Sequence, residues 1–252
     1  MDKNLLEATE KYWTNRADGY SQVNQEELSG LQHTNWKNFL LEEINKTYPG
    51  HQSSEIHVLD IGCGPGFFSV ILAECGYPVT AIDYTQAMLE KAKGNARDCG
   101  VQDRINFLQM DAQVLDFSDE TFDLIVSRNL TWNLQEPERA YREWCRVLKK
   151  DGLLLNFDAN WYGYLFDDKK RAAYEKDRRK TIELGMEDHY TCTDIDAMER
   201  IAYRMPLSPV ERPVWDLDLL REMGMQQVEA RCDIGGQVLS KVEQGNYAAT
   251  PM

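Results

Sequence analysis

Several kinds of segment are missing from this 252-residue sequence, and each absence excludes a class of protein. No apolar run approaches the ~20 residues of a membrane-spanning helix, and the N-terminal residues lack the apolar core of a signal peptide. The six cysteines include no C-x-x-C pair, so we expect reduced thiols and neither a disulfide framework nor a zinc site. We therefore predict a cytoplasmic protein that has no bound metal and no membrane partner.

Positive charge is also scarce, because 28 lysines and arginines face 42 aspartates and glutamates, for a net charge of −14. Nucleic-acid binding depends on lysine and arginine contacts with phosphates, so we do not expect nucleic acid as the main partner. The basic run at residues 169–180 is predicted to be a solvated helix face, with a clamp for an anionic substrate as the less favoured alternative. The hydrophobic content of 42% is enough for a sizeable core. Monomer and homodimer both remain open.

Apolar strands alternate with helical segments along the chain, which predicts an α/β fold with a doubly wound, mostly parallel Rossmann-like sheet. The predicted strands are residues 55–61, 78–83, 105–111, 122–129, 153–158 and 225–232. The predicted helices are residues 2–18, 24–48, 66–76, 86–100, 137–152 and 217–224. We divide the chain into an N-terminal helical lid (1–50), a Rossmann-like core (51–158), a helical cap inserted after strand five (159–213) and a C-terminal part of the core (214–252).

The first predicted strand runs into the glycine-rich stretch VLDIGCGPGFF. The dinucleotide fingerprint G-x-G-x-x-G would require a third glycine where this chain has Phe67, whose ring would crowd a pyrophosphate. The spacing is instead D-x-G-x-G-x-G, with Asp60 followed by Gly62, Gly64 and Gly66. A carboxylate at the strand end would repel a pyrophosphate and would suit a ligand with a cationic amino group. A dehydrogenase is therefore disfavoured.

This pattern resembles motif I of the class I S-adenosylmethionine-dependent methyltransferases, and the resemblance continues along the chain. Asp83 ends the second strand, where that family has an acidic residue, and QMDAQ and SRNLTWNL resemble the segments that follow its third and fourth strands. The resemblance covers residues 55–158. The small-molecule methyltransferases of ubiquinone and menaquinone synthesis are the most similar group.

The resemblance implies S-adenosyl-L-methionine as cofactor and S-adenosyl-L-homocysteine as product. Asp60 would face the amino group, Asp83 would accept both ribose hydroxyls, and Asp111 and the backbone N–H of Ala112 would contact the adenine. The helix carrying YWTNRADGYS resembles that group's lid, and Arg16 between two tyrosines would suit the methionine carboxylate. The complete predicted cofactor-binding set is Tyr12, Arg16, Tyr20, Asp60, Gly62, Cys63, Gly64, Asp83, Tyr84, Met88, Asp111, Ala112 and Asn129.

The implied activity is in-line transfer of a methyl group to a small-molecule acceptor, and the sequence leaves open whether N, O, S or C is methylated. Candidates for the acceptor pocket are His33, Trp132, Trp161, Tyr164 and His189, although the aromatic residues could equally form the core of the cap. A protein methyltransferase and a non-catalytic cofactor-binding module are the alternatives. The family fold closes with a seventh strand. We expect the chain to end before it, or residues 237–243 to form a short return strand.

Overall fold

The computed structural model describes residues 1–183 and 193–239, and its centre is a parallel sheet. The strands are β1 (Val58–Ile61), β2 (Val79–Asp83), β3 (Ile105–Gln109), β4 (Phe122–Arg128) and β5 (Leu148–Phe157). Their order in the sheet is β3-β2-β1-β4-β5, and all neighbours are parallel. The predicted doubly wound α/β fold is confirmed. Because the strand order reverses between β1 and β4, a crevice opens at the carboxyl ends of these two strands.

Helices cover both faces of this sheet. They are α1 (Lys3–Ser29), α2 (Leu31–Thr47), α3 (Phe67–Glu74), α4 (Gln86–Asp98), α5 (Pro137–Val147), α6 (Asp168–Glu183), α7 (Ile195–Ala202), α8 (Val214–Glu222) and α9 (Gly235–Val238). The predicted break between residues 18 and 24 is wrong, since α1 runs unbroken to Ser29. Within the described ranges, no helix combines the length and the apolar character that crossing a membrane would require.

Two hydrophobic clusters hold the sheet between its helices. On one face, α2 and α3 contribute Trp36 and Phe68, whose ring centroids lie 5.0 Å apart, and Trp36 also contacts Phe157 of β5 at 4.9 Å. On the other face, α5 contributes Tyr141 and Trp144, both fully buried. Burial of such rings is among the largest single stabilising contributions in a core. The sheet is therefore a rigid base for the loops at its carboxyl edge.

The predicted helix at residues 137–152 is too long, because α5 ends at Val147 and β5 begins at the next residue. Lys149 and Lys150, which the predicted helix included, belong to the strand, and Lys149 pairs with Asp123 of β4 at 2.8 Å. The register between β4 and β5 shifts at this point. Glycine at position 152 avoids a clash at this irregular point, because a Cβ there would lie 2.6 Å from the Leu148 side chain.

The predicted sixth strand at residues 225–232 is also wrong, because these residues form neither a strand nor a helix. Long-range contacts direct the segment onto α2 and away from the sheet. Arg231 pairs with Glu43 at 2.6 Å and its guanidinium lies 5.0 Å from the centre of the Phe39 ring. Of the proposed return strand at 237–243, the first two residues lie in α9, and residues 240–243 lie outside the described part of the chain.

Candidate functional site

A pocket lies at the carboxyl edge of the sheet, over the point where the strand order reverses. The sheet register explains why its residues meet. Ile61 pairs with Ile82 and Ser127, and Asp83 pairs with Gln109, so the segments that follow four strands reach the same edge. Helix α1 crosses above them. The space between the walls is about 1090 Å³, including the part open to solvent.

Eleven of the thirteen predicted cofactor-binding residues line this one pocket. They are Tyr20, Asp60, Gly62, Cys63, Gly64, Asp83, Tyr84, Met88, Asp111, Ala112 and Asn129. Their meeting at one pocket is a structural result, whereas their individual contacts with a cofactor remain predictions.

Gly62 opens the loop between β1 and α3 in a conformation that favours glycine, with φ +67°. A Cβ at this position would lie 2.7 Å from the nearest side-chain atom of Leu130, which itself lines the pocket. The next residue is fixed as well, because the backbone N–H of Cys63 donates to the carbonyl of Ile82 at 2.9 Å. Because the first residue of the loop has no side chain, a ligand can approach the loop backbone closely.

We expect Gly62→Ala to destabilise the protein by about 1 kcal/mol more than Gly100→Ala, as measured by thermal or denaturant unfolding. The two glycines share a positive φ, +67° and +72°, so the backbone strain is matched. A Cβ at Gly100 meets no atom within 4 Å, whereas one at Gly62 displaces Leu130. Equal losses of stability in the two variants would contradict the close packing of the loop against Leu130.

Asp83 is fastened by the backbone on both of its carboxylate oxygens. Oδ2 accepts from the N–H of Gly64 at 2.9 Å and Oδ1 from the N–H of Thr85 at 2.8 Å. An ionised carboxylate has about four acceptor sites, so the two backbone hydrogen bonds leave capacity for a ligand. Burial raises the pKa of Asp83 to about 6, and the two N–H donors and the side chain of Thr85 oppose that shift. The carboxylate is thus oriented before any ligand arrives.

Asp60 lies deeper at the end of β1, with 2% of its surface exposed. It accepts a hydrogen bond from the hydroxyl of Ser69 at 2.5 Å. Burial raises the pKa of Asp60 to about 7, and the nearby charge of Asp83 adds to that rise, whereas Ser69 and Arg128 lower it. Asp60 therefore titrates close to neutral pH, where a bound cation would favour its ionised form.

A third carboxylate, Asp111, lies on the pocket wall where the chain leaves the end of β3. Its Oδ1 accepts from both the backbone N–H and the side-chain Nε2 of Gln113, at 2.9 and 3.0 Å. The neighbouring Ala112 is fixed through its carbonyl, which accepts from the indole N–H of Trp144 at 2.8 Å. This end therefore presents a carboxylate and a held backbone segment, which can receive an amino-substituted ring.

Helix α1 covers the pocket with a face that includes Tyr20, one of the predicted cofactor-binding residues. Trp13 and Tyr20 line the pocket, with their ring centroids 5.8 Å apart, and Asn129 makes a hydrogen bond with the Tyr20 side chain. Tyr12 and Arg16 line a second cavity between α1 and α7, so the structure does not bring them to the same pocket as Tyr20. Their contacts with a cofactor stay predictions.

Three amide oxygens on the pocket wall are buried without a hydrogen-bond partner among the described residues. They belong to Asn24 of α1 and to Asn129 and Asn133 after β4. A buried acceptor without a partner costs free energy, so a ligand that donates hydrogen bonds would stabilise the pocket. The sequence prediction missed Asn24 and Asn133. Asn24 could have been found from the sequence, because it is a polar amide in the middle of a helix and lies four residues after Tyr20, on the same helical face.

The four predicted acceptor-pocket residues that the structure describes, His33, Trp132, Trp161 and Tyr164, are not among the residues that line this pocket. Trp132 packs against Tyr162, with ring centroids 4.7 Å apart, and Tyr164 stacks on Tyr174 at 4.0 Å. Both aromatic pairs contribute to packing, and a role of these residues in an acceptor pocket stays a prediction. His33 points elsewhere, pairing with Glu74 at 2.6 Å. His189 lies outside the described residues.

The remaining candidate, Trp161, belongs to a buried polar network at the end of β5. Its indole N–H donates to Oδ1 of Asp158 at 3.0 Å, and the backbone N–H of Trp132 donates to Oδ2 at 3.1 Å. Arg212, near the end of the predicted cap, pairs with Asp158 at 3.0 Å and also with Asp216. The network fastens the segment after β4, which lines the pocket, to the chain around Arg212.

Comparison with known proteins adds a family match over the centre of this chain. The family model described as "Methyltransferase domain" matches residues 59–156. A demethylmenaquinone methyltransferase of Leptospira interrogans is 35% identical over 133 residues, covering 52% of this chain and 52% of the relative. A phosphatidylethanolamine N-methyltransferase of Cereibacter sphaeroides is 33% identical over 156 residues, covering 60% of this chain and 74% of the relative.

Among solved structures, a Methanococcus maripaludis protein named as a candidate S-adenosyl-L-methionine-dependent methyltransferase matches with a TM-score of 0.54. It is 25% identical, and the match covers 83% of this chain and 85% of that one. The likeness therefore extends beyond the residues of the family model. The chain spans about half the length of the menaquinone and ubiquinone methyltransferases it matches.

Proposed function

We propose that this chain, which belongs to the class I S-adenosylmethionine-dependent methyltransferases, transfers the methyl group of S-adenosylmethionine to a small-molecule acceptor. The observation that carries the proposal is the meeting of three oriented carboxylates, Asp60, Asp83 and Asp111, around one pocket beside the glycine loop. Each follows or ends a different strand of the sheet.

The residues present fit that cofactor. Asp83 would accept the two ribose hydroxyls on its free acceptor sites, and Asp111 would receive the amino group of the adenine. The backbone of Gly62 and Gly64 would lie against the ligand, since a Cβ at Gly64 would already contact the Tyr20 ring at 3.6 Å. The three partnerless amide oxygens supply further acceptors.

When bound, S-adenosylmethionine supplies a methyl group already activated by its sulfonium, so the protein's main contribution is proximity and alignment, worth roughly 7 kcal/mol or more. Helix α1 crosses the pocket and would limit the access of water to a bound cofactor. Trp13 and Tyr20 place aromatic faces on the wall, where each can stabilise a neighbouring cation by on the order of 0.5–2 kcal/mol.

The covering helix also favours a small acceptor over a protein, because a protein substrate needs an open groove. The names of two relatives, a menaquinone and a phosphatidylethanolamine methyltransferase, support low-mass or lipid acceptors as the class to examine first. The cap would form the remaining wall of the acceptor site.

Methyl transfer from radiolabelled S-adenosylmethionine to fractionated cell extract tests this proposal. We expect label in the low-mass or lipid fraction, and none when the protein carries Asp83→Ala. Label in the protein fraction would favour a protein methyltransferase. Binding of the cofactor without transfer to any fraction would favour a non-catalytic module.

A further inference from the structure

Helix α6 concentrates positive charge in a chain that is otherwise strongly acidic. Its 16 residues hold seven lysines and arginines against four aspartates and glutamates, whereas the whole chain carries a net charge of −14. An anionic partner would therefore be attracted to this helix and repelled by most of the remaining surface.

Contacts on the inner side of α6 fix which of its residues face outward. The ring of Tyr174 stacks on that of Tyr164, with centroids 4.0 Å apart and 2° between the planes. Lys170 lies four residues before Tyr174 on the same side of the helix, and it pairs with Glu211 at 2.7 Å. Both residues are partly buried. The rotation of the helix is thus set, and its opposite side faces solvent.

Three lysines form one stripe on the solvent side. Lys169, Lys176 and Lys180 stand seven and four residues apart, which places them on one face of the helix over a length of about 16 Å. All three are exposed, and none has an ion-pair partner among the described residues, whereas Lys170 has one. The exposed carboxylates of the helix lie on the adjacent stripe and are Asp168, Glu175 and Glu183.

An exposed aromatic pair lies beside the start of this helix. Phe166 stacks on Tyr203, with centroids 5.1 Å apart and 13° between the planes, and the two residues expose 40% and 64% of their surface. Phe166 is joined to α6 through Asp167, whose Oδ1 accepts from the backbone N–H groups of Lys169 and Lys170. Aromatic rings that remain exposed next to basic residues are typical of surfaces that meet the headgroup region of a membrane.

A bilayer with anionic headgroups fits both features. Each lysine close to such a surface increases the affinity by about fivefold, and charge effects fall off within a Debye length of about 8–10 Å. The lysine stripe can therefore reach the headgroups while more distant acidic surface is screened. A nucleic-acid duplex would offer phosphates to the lysines but no apolar region to Phe166 and Tyr203.

We propose that the lysine stripe of α6 and the Phe166–Tyr203 pair form a docking surface for an anionic lipid bilayer. Binding is peripheral, with the lysines contributing most of it and the two rings adding contact with the headgroup region. The inference goes beyond the proposed function and does not depend on it. It replaces the expectation of no membrane partner, which rested on the absence of a membrane-spanning run.

Sedimentation with lipid vesicles tests this surface. Vesicles of phosphatidylcholine alone would be compared with vesicles of equal parts phosphatidylcholine and phosphatidylglycerol. We expect the wild type to bind the anionic vesicles at least about tenfold more tightly than the neutral ones at about 0.1 M salt. Most of this difference should disappear at about 1 M salt, where the Debye length is about 3 Å.

Charge reversal on the stripe should remove the preference for anionic vesicles. The variant that combines Lys169→Glu, Lys176→Glu and Lys180→Glu should lose at least about 100-fold in affinity, because three contributions of about fivefold multiply. Its thermal midpoint should stay close to that of the wild type, since all three side chains are exposed. If this variant does not fold, replacement of the three lysines by glutamine takes its place, with an expected loss of at least about tenfold.

The matched control reverses three exposed cations on other elements, so that the net charge changes equally. It combines Arg97→Glu on α4, Arg142→Glu on α5 and Lys150→Glu on β5, and its affinity for anionic vesicles should stay within about threefold of the wild type. Replacement of Phe166 and Tyr203 by serine should weaken vesicle binding at low and high salt alike, because salt does not screen apolar contact.

Equal binding of the wild type to neutral and anionic vesicles, or equal losses in the α6 variant and its control, would overturn the docking surface. Binding to a DNA or RNA duplex without binding to vesicles would also overturn it and would assign the lysine stripe to nucleic acid. Titration with S-adenosylhomocysteine reports on the proposed function separately, so the two failures are distinguishable.

Discussion

Asp83→Ala is expected to weaken binding of S-adenosylhomocysteine at least 100-fold in calorimetric titration. A charge-assisted hydrogen bond contributes about 1.5–3 kcal/mol, and the variant loses two of them to the ribose hydroxyls. Loss of the hydrogen bonds from the N–H groups of Gly64 and Thr85 should add to the effect, because the bond from Gly64 holds the glycine loop in place. The thermal midpoint of the ligand-free protein should fall by only a few degrees.

Asp98→Ala is the matched control for this substitution, because Asp98 is an exposed aspartate at the end of α4. Its affinity should equal that of the wild type. A large drop of the Asp83→Ala midpoint with affinity retained would mean that Asp83 only fastens the loop. The ribose assignment would then be wrong.

Asp60→Asn is expected to make the ligand-free protein more stable at pH 8 and to weaken binding of the cofactor. Burial raises the pKa of Asp60 from 3.8 to about 7, so between these values the folded protein holds a proton that the unfolded chain has released. The stability contributed by the protonated group is therefore complete below about pH 4 and is lost as the pH rises through about 7. The linked free energy is on the order of 4 kcal/mol.

The gain in stability should accordingly depend on pH. In thermal unfolding, Asp60→Asn should exceed the wild type by several degrees at pH 8, and the difference should vanish near pH 4.5. Affinity for S-adenosylmethionine should rise from pH 6 to pH 8 in the wild type, because a cation favours the ionised carboxylate, and this rise should be smaller in the variant. If the variant were less stable than the wild type at pH 8, the claim that the buried Asp60 carboxylate destabilises the folded protein at that pH would be wrong.

The sequence was sufficient to predict the parts of the site that follow strands. Asp60, Asp83 and Asp111 each stand at or just after the end of an apolar run, and parallel strands bring such ends to one edge. In a doubly wound fold the order of the strands in the sheet follows from the fold class. Recognising the strands in the sequence was therefore enough to place their carboxyl ends. The same logic explains why Gly62 and Asn129 were found.

The helical cover was predicted only in part. Tyr12 and Arg16 share a face, as their spacing requires, but successive residues on a helix are separated by about 100°. Trp13 and Asn24 are therefore directed at the pocket while Tyr12 and Arg16 are directed at α7. Which face turns inward depends on the packing of distant segments, which local periodicity does not contain.

The C-terminal segment was mispredicted for a related reason. Residues 225–232 contain apolar residues at short intervals, but only Met225 and Val228 are even partly buried. The ion pair of Arg231 with Glu43, 188 positions away, holds the segment on α2. Local propensity does not decide whether such a segment forms a strand, so contacts with residues far away in the sequence decide it.

Calorimetric titration of the wild-type protein with S-adenosylhomocysteine and, separately, with NAD tests the central claim most directly. The D-x-G-x-G-x-G loop and the three oriented carboxylates predict micromolar binding of S-adenosylhomocysteine and no binding of NAD. Binding of NAD with no response to S-adenosylhomocysteine would contradict the account.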